Sequence, residues 1–575
     1  MSFMKHLYSI SVPDLDDLLD NEKHILRKKG VHLSEVDSKM KEVNWTEYLL
    51  LVSPPEAHRY ILSNPKVYAD IGYLQKIDTA IRFSEPRTVI NFVIIHYILS
   101  WVTLLEAKYR KLVYDFAQNV GSSYLVKRSE VCYDVVSNHY RHVVLATYAR
   151  SQNYGNGAKP ILEEMMKEII ASFKDQLNEN TWIEDDFRKA VFKKLDHMGS
   201  TLLYDDVSAN DTALDGLYSE HLKIGELPFL SMLDEISYAE KKVLYRNLFG
   251  RFDPRQTIPT IAAQYARPTN AFYFPSFNVI VVPLGIVQHP IFDIDFPRAY
   301  IYGTIGSIVG HEISHGFDNR GIKYDYNGAI SKWYKEEWIE KFNEKTQCYV
   351  HQYGKIRIPI FDEPLNATLT LPDNIADNEG LKIAYRAFKR HQKKYGKEPR
   401  TEFFEDFSND QLFFIGFAKP FCTKMGQLAF VQGLKSNHTH NIYRVNNAAM
   451  NIPEFADAFH CPPGSNMNPD ERALSGLLLI IHICSGNVKF DDPCHYNFTV
   501  INQRYNISSK PEKAQNLSDI LRLTIDYKVD PCDNFYNFAC GTWIKNILDE
   551  PEPWNRITTL GKMKAYYLNE LKGIV

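Results

Sequence analysis

The chain has little of what would mark a nucleic-acid partner, a repeat architecture or an obvious membrane anchor. Its net charge is −4 over 575 residues, and no basic tract interleaved with aromatics occurs, so an electrostatic nucleic-acid binder is excluded. No short-period repeat or low-complexity tract is visible. Long apolar runs are scarce. The longest, Val89 to Leu104, is interrupted by Asn91, His96, Ser100, Trp101 and Thr103, and reads as a buried helix rather than a membrane span. The amino end, Met1-Ser-Phe-Met-Lys-His6, lacks the apolar core of a secretory signal. A run from Ala473 to Cys484 is too short to cross a bilayer, yet it suits the core of a signal peptide. Hydrophobic residues at 45% and charged residues at 24% are ordinary for a globular protein, and this length predicts two or more domains.

Against that plain background His311-Glu312-Ile313-Ser314-His315 stands out as HExxH. Histidines four apart lie on one helical face, so both imidazoles reach a single ion, and the glutamate between them can touch a water on that ion. Zinc accepts imidazole nitrogen in a tetrahedral shell and keeps an open position for water. Three fixed positions in five recur by chance, so the context has to carry the argument. Ile305, Ile308 and Val309 recur at helical spacing, and Gly303, Gly306 and Gly310 are expected to let another backbone approach closely.

A catalytic zinc needs a third protein ligand. In Leu369 to Gly380, Pro372 suits a first helical turn, and Ile375, Ala376, Leu381, Ala384 and Tyr385 continue an apolar stripe. Asp373 and Asp377 are four apart on one face. One could ligate a metal while the other accepts from a ligand histidine and fixes its tautomer. Taken alone, the pair equally suits the positive end of a helix and a solvated flank.

Three blocks make the pattern specific: Asn270-Ala-Phe-Tyr273, Val309-Gly-His-Glu-Ile-Ser-His-Gly-Phe-Asp318 and Asp373-Asn-Ile-Ala-Asp377. In order and spacing they resemble the signatures of the neprilysin and endothelin-converting-enzyme family of zinc endopeptidases. His438 to Asn446 and Glu454 to Cys461 resemble that family's closing segments. The resemblance implies Zn2+ held by His311, His315 and Asp373, one ion per catalytic domain, with Glu312 as general base and Asp377 beside a ligand histidine. It implies that Asn270 and Ala271 hold the peptide main chain as an added strand, that His438 donates to the developing oxyanion, and that Arg444 binds a substrate carbonyl. It maps the pocket beyond the scissile bond to Ile286, Ile291, Ile308 and Phe421, and so implies oligopeptide substrates cut on the amino side of bulky hydrophobic residues.

One position departs from the family. Asp373 stands where glutamate is usual, and its carboxylate is retracted by about 1.5 Å. Zinc sites tolerate about ±0.2 Å in ligand distance, so weakened zinc affinity and turnover are expected. Glu379, where the family has glycine, is a poorer substitute because it leaves the helix on another face.

The order of segments is also unusual. Val529 to Trp543 resembles the block that opens the family's ectodomain, but here it follows the catalytic part. A hundred residues or more of the family's helical lobe have no counterpart between that block and the region matched by Met1. The family's bridges would join Cys461 to Cys532 and Cys422 to Cys540, leaving Cys132 and Cys348 without their partners. Either the tail begins a second unit, which is the favoured origin, or it folds back and supplies the opening segment in permuted order. In either case it could still dock.

The expected class is mainly α with a small β-sheet: a thermolysin-like zincin catalytic domain at 149–470 and a partial helical lobe at 1–148. A linker at 471–518 and the opening-like segment at 519–575 follow. Helices are expected at Ser34–Glu42, Pro55–Leu62, Tyr73–Arg82, Lys159–Asn178 and Glu184–Gly199, with strands at Ala271–Phe274, as an edge, and Val279–Val282. Eight cysteines and seven Asn-x-Ser/Thr sequons suit an oxidising, extracellular or membrane-associated setting. The leading function is a zinc endopeptidase. A weakened or inactive peptide-binding ectodomain is the alternative, and an intracellular helical interaction protein with an incidental HExxH is the third.

Overall fold

The computed structural model describes residues 30–67, 69–119, 128–151, 157–180, 183–246, 269–331, 333–358, 362–398, 407–470, 517–547 and 556–563. The architecture is helical with small sheets, as the periodicity predicts. The linker residues 471–516 and the apolar run from Ala473 to Cys484 lie outside the described residues, as does the amino end.

By packing the chain forms two units, Met1–Arg141 with Asn210–Thr257, and His142–Ala209 with Ile258–Ile574. This differs from a single cut at 148. The returning helix Phe229–Arg246 buries Leu233 and Ile236, and its Lys242 pairs with Glu56 of the Pro55–Leu62 helix. In the same first unit Leu33, Ala57 and Ile61 form a core cluster under Trp45, Leu49, Leu50 and Val67.

The first unit overturns one expectation. The segment read as a buried helix forms Pro86–Trp101, and none of its residues is buried. Ile90, Val93 and Tyr97 are 57%, 59% and 63% exposed. The helix is apolar on all sides, so it has no single stripe to direct toward a core. By length and hydropathy Pro86–Leu104 is also the one candidate among the described residues for crossing a membrane, which by itself is weak evidence of a span.

The second unit carries a three-stranded sheet in the order Gly199–Leu203, Val279–Pro283, Phe272–Phe274. Val279–Pro283 is β-branched and wholly buried, which suits a central strand. Phe272–Phe274 pairs antiparallel with it and is an edge, as expected. The parallel partner Gly199–Leu203 was not anticipated: the helix expected to run to Gly199 ends at Asp196, and the chain turns into the strand. Asn278 makes the hairpin turn at φ 50°, a left-handed conformation that asparagine tolerates.

The opening-like tail docks on this second unit. Its strand Arg556–Thr558 pairs antiparallel with Thr423–Met425. Disulfides join Cys422 to Cys540 and Cys461 to Cys532. Phe535 of the tail is fully buried, its ring 4.7 Å from Phe455 and 5.3 Å from Phe459. Cys132 and Cys348 are not disulfide-bonded; the Cys348 thiol donates to the Lys345 carbonyl.

The bridges span 118 and 71 residues of sequence. Constraining loops of that size in the unfolded chain is worth about 3–5 kcal/mol each. Non-reducing peptide mapping should recover the Cys461–Cys532 link, and replacing both cysteines of one bridge by serine should lower the thermal midpoint by several degrees. Recovery of neither link would rule out docking.

Candidate active site

The motif helix, Ser307–His315, is preceded by a π-helical turn over Tyr302–Gly306. It crosses the long helix Leu371–Tyr395, and the crossing is very close. A Cβ on Gly310 would lie 2.4 Å from the Gly380 carbonyl, and one on Gly380 would lie 2.5 Å from the His311 nitrogen. Gly303 likewise abuts the Phe413 backbone, whereas Gly306 faces the Met165 side chain.

This crossing sets Asp373 and Asp377 against the two histidines. Asp373 Oδ1 lies 3.8 Å from His311 Nε2 and 3.7 Å from His315 Nε2. One ligand atom from each of the three residues falls within 4.8 Å of the others. Two imidazole nitrogens and a carboxylate oxygen thus come together, a donor set of the kind zinc accepts. The donor set therefore fits a zinc ion by its chemistry, two imidazoles and one carboxylate.

Each histidine is held from behind. Asp377 Oδ1 lies 2.9 Å from His311 Nδ1, although the ring N–H does not point squarely at it. Asp318 Oδ2 lies 2.7 Å from His315 Nδ1. Burial opposes protonation of His315, but the hydrogen bond and charge of Asp318, with Glu312 and Asp373, outweigh it and raise its pKa to about 9. Burial likewise opposes the charge on Asp373, yet the hydrogen bond and charge of His438, with His315 and His311, hold that carboxyl well below its usual range. Glu312 is buried at the centre of the motif.

The remaining predicted residues fall on three sides. His438 brings Nε2 to 3.0 Å from Asp373 Oδ1. Its loop is tied to the long helix where Thr439 Oγ1 donates to Asn374 Oδ1. Arg444 donates from Nε and Nη2 to the two Asp377 oxygens, both at 2.7 Å, and its guanidinium stacks 4.8 Å from the Phe421 ring. Ile286 and Ile291 have no exposed surface, while Ile308 and Phe421 are half-buried. Asn270 is exposed and Ala271 buried at the start of the edge strand. Glu379 Oε1 accepts from Tyr349 and Lys382, and the residue is not part of the His311, His315, Asp373 cluster.

Sequence reasoning gave no role to Asp318, although it closes the block that begins at Val309. Its spacing of three residues from His315 was the available signal. It gave none to Lys194 either, which is remote in sequence from everything it touches.

Two family models, both for peptidase family M13, match residues 1–205 and 270–474. The chain belongs to peptidase family M13. Neprilysin-1 of Caenorhabditis elegans is 34% identical over 439 residues, covering 76% of this chain and 57% of that relative. Endothelin-converting enzyme 1 of Homo sapiens is 28% identical over 478 residues, 82% of this chain and 60% of that one. The chain thus spans less than two thirds of these relatives' lengths. Among solved structures, Mycobacterium tuberculosis zinc metalloprotease Zmp1 in complex with inhibitor aligns at a TM-score of 0.60 and 21% identity, over 76% of this chain and 64% of that one. PepO of Lactobacillus rhamnosis aligns at 0.57 and 22%, over 81% and 72%. These two establish a shared fold. M13 membership implies zinc, and the His311, His315, Asp373 cluster is where this chain could hold it.

Burial would raise the Asp377 pKa, but the charge and hydrogen bonds of Arg444, then His311, pull it down to about 2 from 3.8. A depressed carboxyl stabilises the fold above its unfolded pKa and loses that contribution as pH falls through its folded one. The loss here is about 2 kcal/mol between pH 4 and 2. In urea titrations of the metal-free protein, Asp377→Asn should be destabilised at pH 7 and should shed about that much of the acid sensitivity. Equal acid sensitivity in both proteins would contradict the pairing.

Proposed function

We propose that this chain is a zinc-dependent endopeptidase of small peptides, acting on the amino side of bulky hydrophobic residues in an extracellular or membrane-associated setting. The observation that carries the proposal is the convergence of His311, His315 and Asp373 on one point, with Glu312 between the histidines. The chain spans 57% of the Caenorhabditis elegans neprilysin-1 it matches, so the activity is proposed and not transferred.

In this reading His311, His315 and Asp373 hold one zinc ion. When bound, zinc polarises the scissile carbonyl and lowers the pKa of a water toward about 7. Glu312 takes a proton from the attacking water and delivers it to the departing amine nitrogen. Asp377 and Asp318 keep the ring orientation of the two histidines. The peptide adds to the edge strand Phe272–Phe274, with Asn270 and the Ala271 backbone as main-chain partners. His438 donates to the oxyanion, and Arg444, braced by Asp377, holds a carbonyl beyond the cut. Ile286, Ile291, Ile308 and Phe421 form the apolar pocket for the residue after the scissile bond, with Ile308 and Phe421 the accessible members.

A second reading, reduced turnover, has its own observation. His438 Nε2 sits on Asp373 Oδ1 at 3.0 Å, so the proposed oxyanion donor is engaged by the shortened ligand.

Cleavage of quenched fluorescent peptides by the purified chain tests the first reading. It should be abolished by chelation, restored by zinc, and lowered about 10³-fold in Glu312→Gln; cleavage indifferent to both treatments would sink it. For the second, Asp373→Glu should raise both zinc occupancy and turnover, and no change in either would refute the cost assigned to the shorter side chain.

A further inference from the structure

Lys194 is fully buried on the helix Asp185–Asp196. Its ammonium donates to the carbonyls of Gly316, Gly321 and Tyr324, each at 2.7 Å. An ammonium has three donors, and all three are spent on backbone oxygens. The faces of Phe317 and Trp333 lie 5.3 Å and 5.8 Å from the nitrogen. Desolvation lowers the lysine pKa to about 7, against the opposing charges of Asp318 and Asp325. A buried ammonium whose hydrogen bonds all go to backbone carbonyls is costly to keep, so its placement needs a reason.

The three carbonyls mark the two ends of one loop. Gly316 caps the motif helix directly after His315, and Gly321 and Tyr324 lie where the chain returns. Between them sits Asp318. Its Oδ1 accepts from the nitrogens of Arg320 and Gly321, at 2.7 Å and 2.6 Å, and its Oδ2 faces His315 Nδ1. The direction of the Asp318 carboxylate thus follows from where residues 320 and 321 stand, and Lys194 holds that position relative to Gly316. The Lys194 backbone also joins in: its carbonyl accepts from Asn278 Nδ2, and Asn278 Oδ1 accepts from the Tyr273 hydroxyl on the edge strand.

We propose that Lys194 is a positioning residue for the metal centre: it clamps the 316–324 loop so that Asp318 orients His315, and zinc affinity depends on it without contact with the ion. The inference rests on the zinc reading of the same site. A partner of a ligand histidine is typically worth 10–100-fold in metal affinity, and Lys194 acts one step further back.

The test is zinc affinity of the full chain by chelator competition, with the absorption spectrum of the cobalt-substituted protein as a second readout. Lys194→Met, Lys194→Arg, Asp318→Asn and the Lys194→Met/Asp318→Asn double variant are compared, with folding followed by the thermal midpoint of the metal-free forms. Lys194→Met should weaken zinc binding about 10-fold or more and alter the cobalt bands, and the double variant should bind about as weakly as the weaker single variant. Wild-type affinity and spectrum in a folded Lys194→Met, or single effects that simply multiply, would overturn the proposal. Should Lys194→Met not fold, Lys194→Arg carries the test. It keeps the charge but cannot place donors on all three carbonyls, so a wild-type cobalt spectrum there would equally overturn it. Absence of zinc binding by the wild-type chain would instead overturn the underlying function.

Discussion

The close crossing of the motif helix and the helix Leu371–Tyr395 is the constraint on which the site depends. Gly310 and Gly380 have no room for a side chain between them. With the axes pressed together, carboxylates four residues apart on one helix meet histidines four residues apart on the other. Asp373 then faces both Nε2 atoms while Asp377 stands behind His311. Because the approach is set by backbone contact, the Asp373 carboxylate lies within 4 Å of both imidazoles despite its short side chain.

Around that crossing the charges are arranged in a chain of pairs. Arg444 is bidentate on Asp377, Asp377 backs His311, Asp318 backs His315, and His438 covers Asp373. Buried charges persist only when so matched, since each alone would carry a large desolvation cost. The same network explains why the carboxyls of Asp373 and Asp377 are held low while the pKa of His315 is raised: each faces groups of opposite tendency.

The docked tail adds a second constraint. The Tyr536 hydroxyl accepts from the Thr423 nitrogen, and Asn446 Oδ1 accepts from the Tyr536 nitrogen. With two disulfides and a shared strand pair, the segment packs beside Phe421 and the helix that carries Arg444. The tail is thus integral to the second unit.

Local periodicity determined the elements of the site: the HExxH helix, the Asp373/Asp377 face and the edge strand are all set by residues within one or two turns of each other. Motif order likewise determined the family, because its blocks are contiguous in sequence. Tertiary structure decided what depends on distant partners. The exposure of Pro86–Trp101 could not be read from its composition, since an apolar helix without a preferred face states no direction of packing. The parallel strand Gly199–Leu203, the return of Phe229–Arg246 to the first unit and the clamp at Lys194 join segments tens to more than a hundred residues apart. Such contacts leave no periodic trace in the chain, and only the folded backbone brings their members within bonding distance.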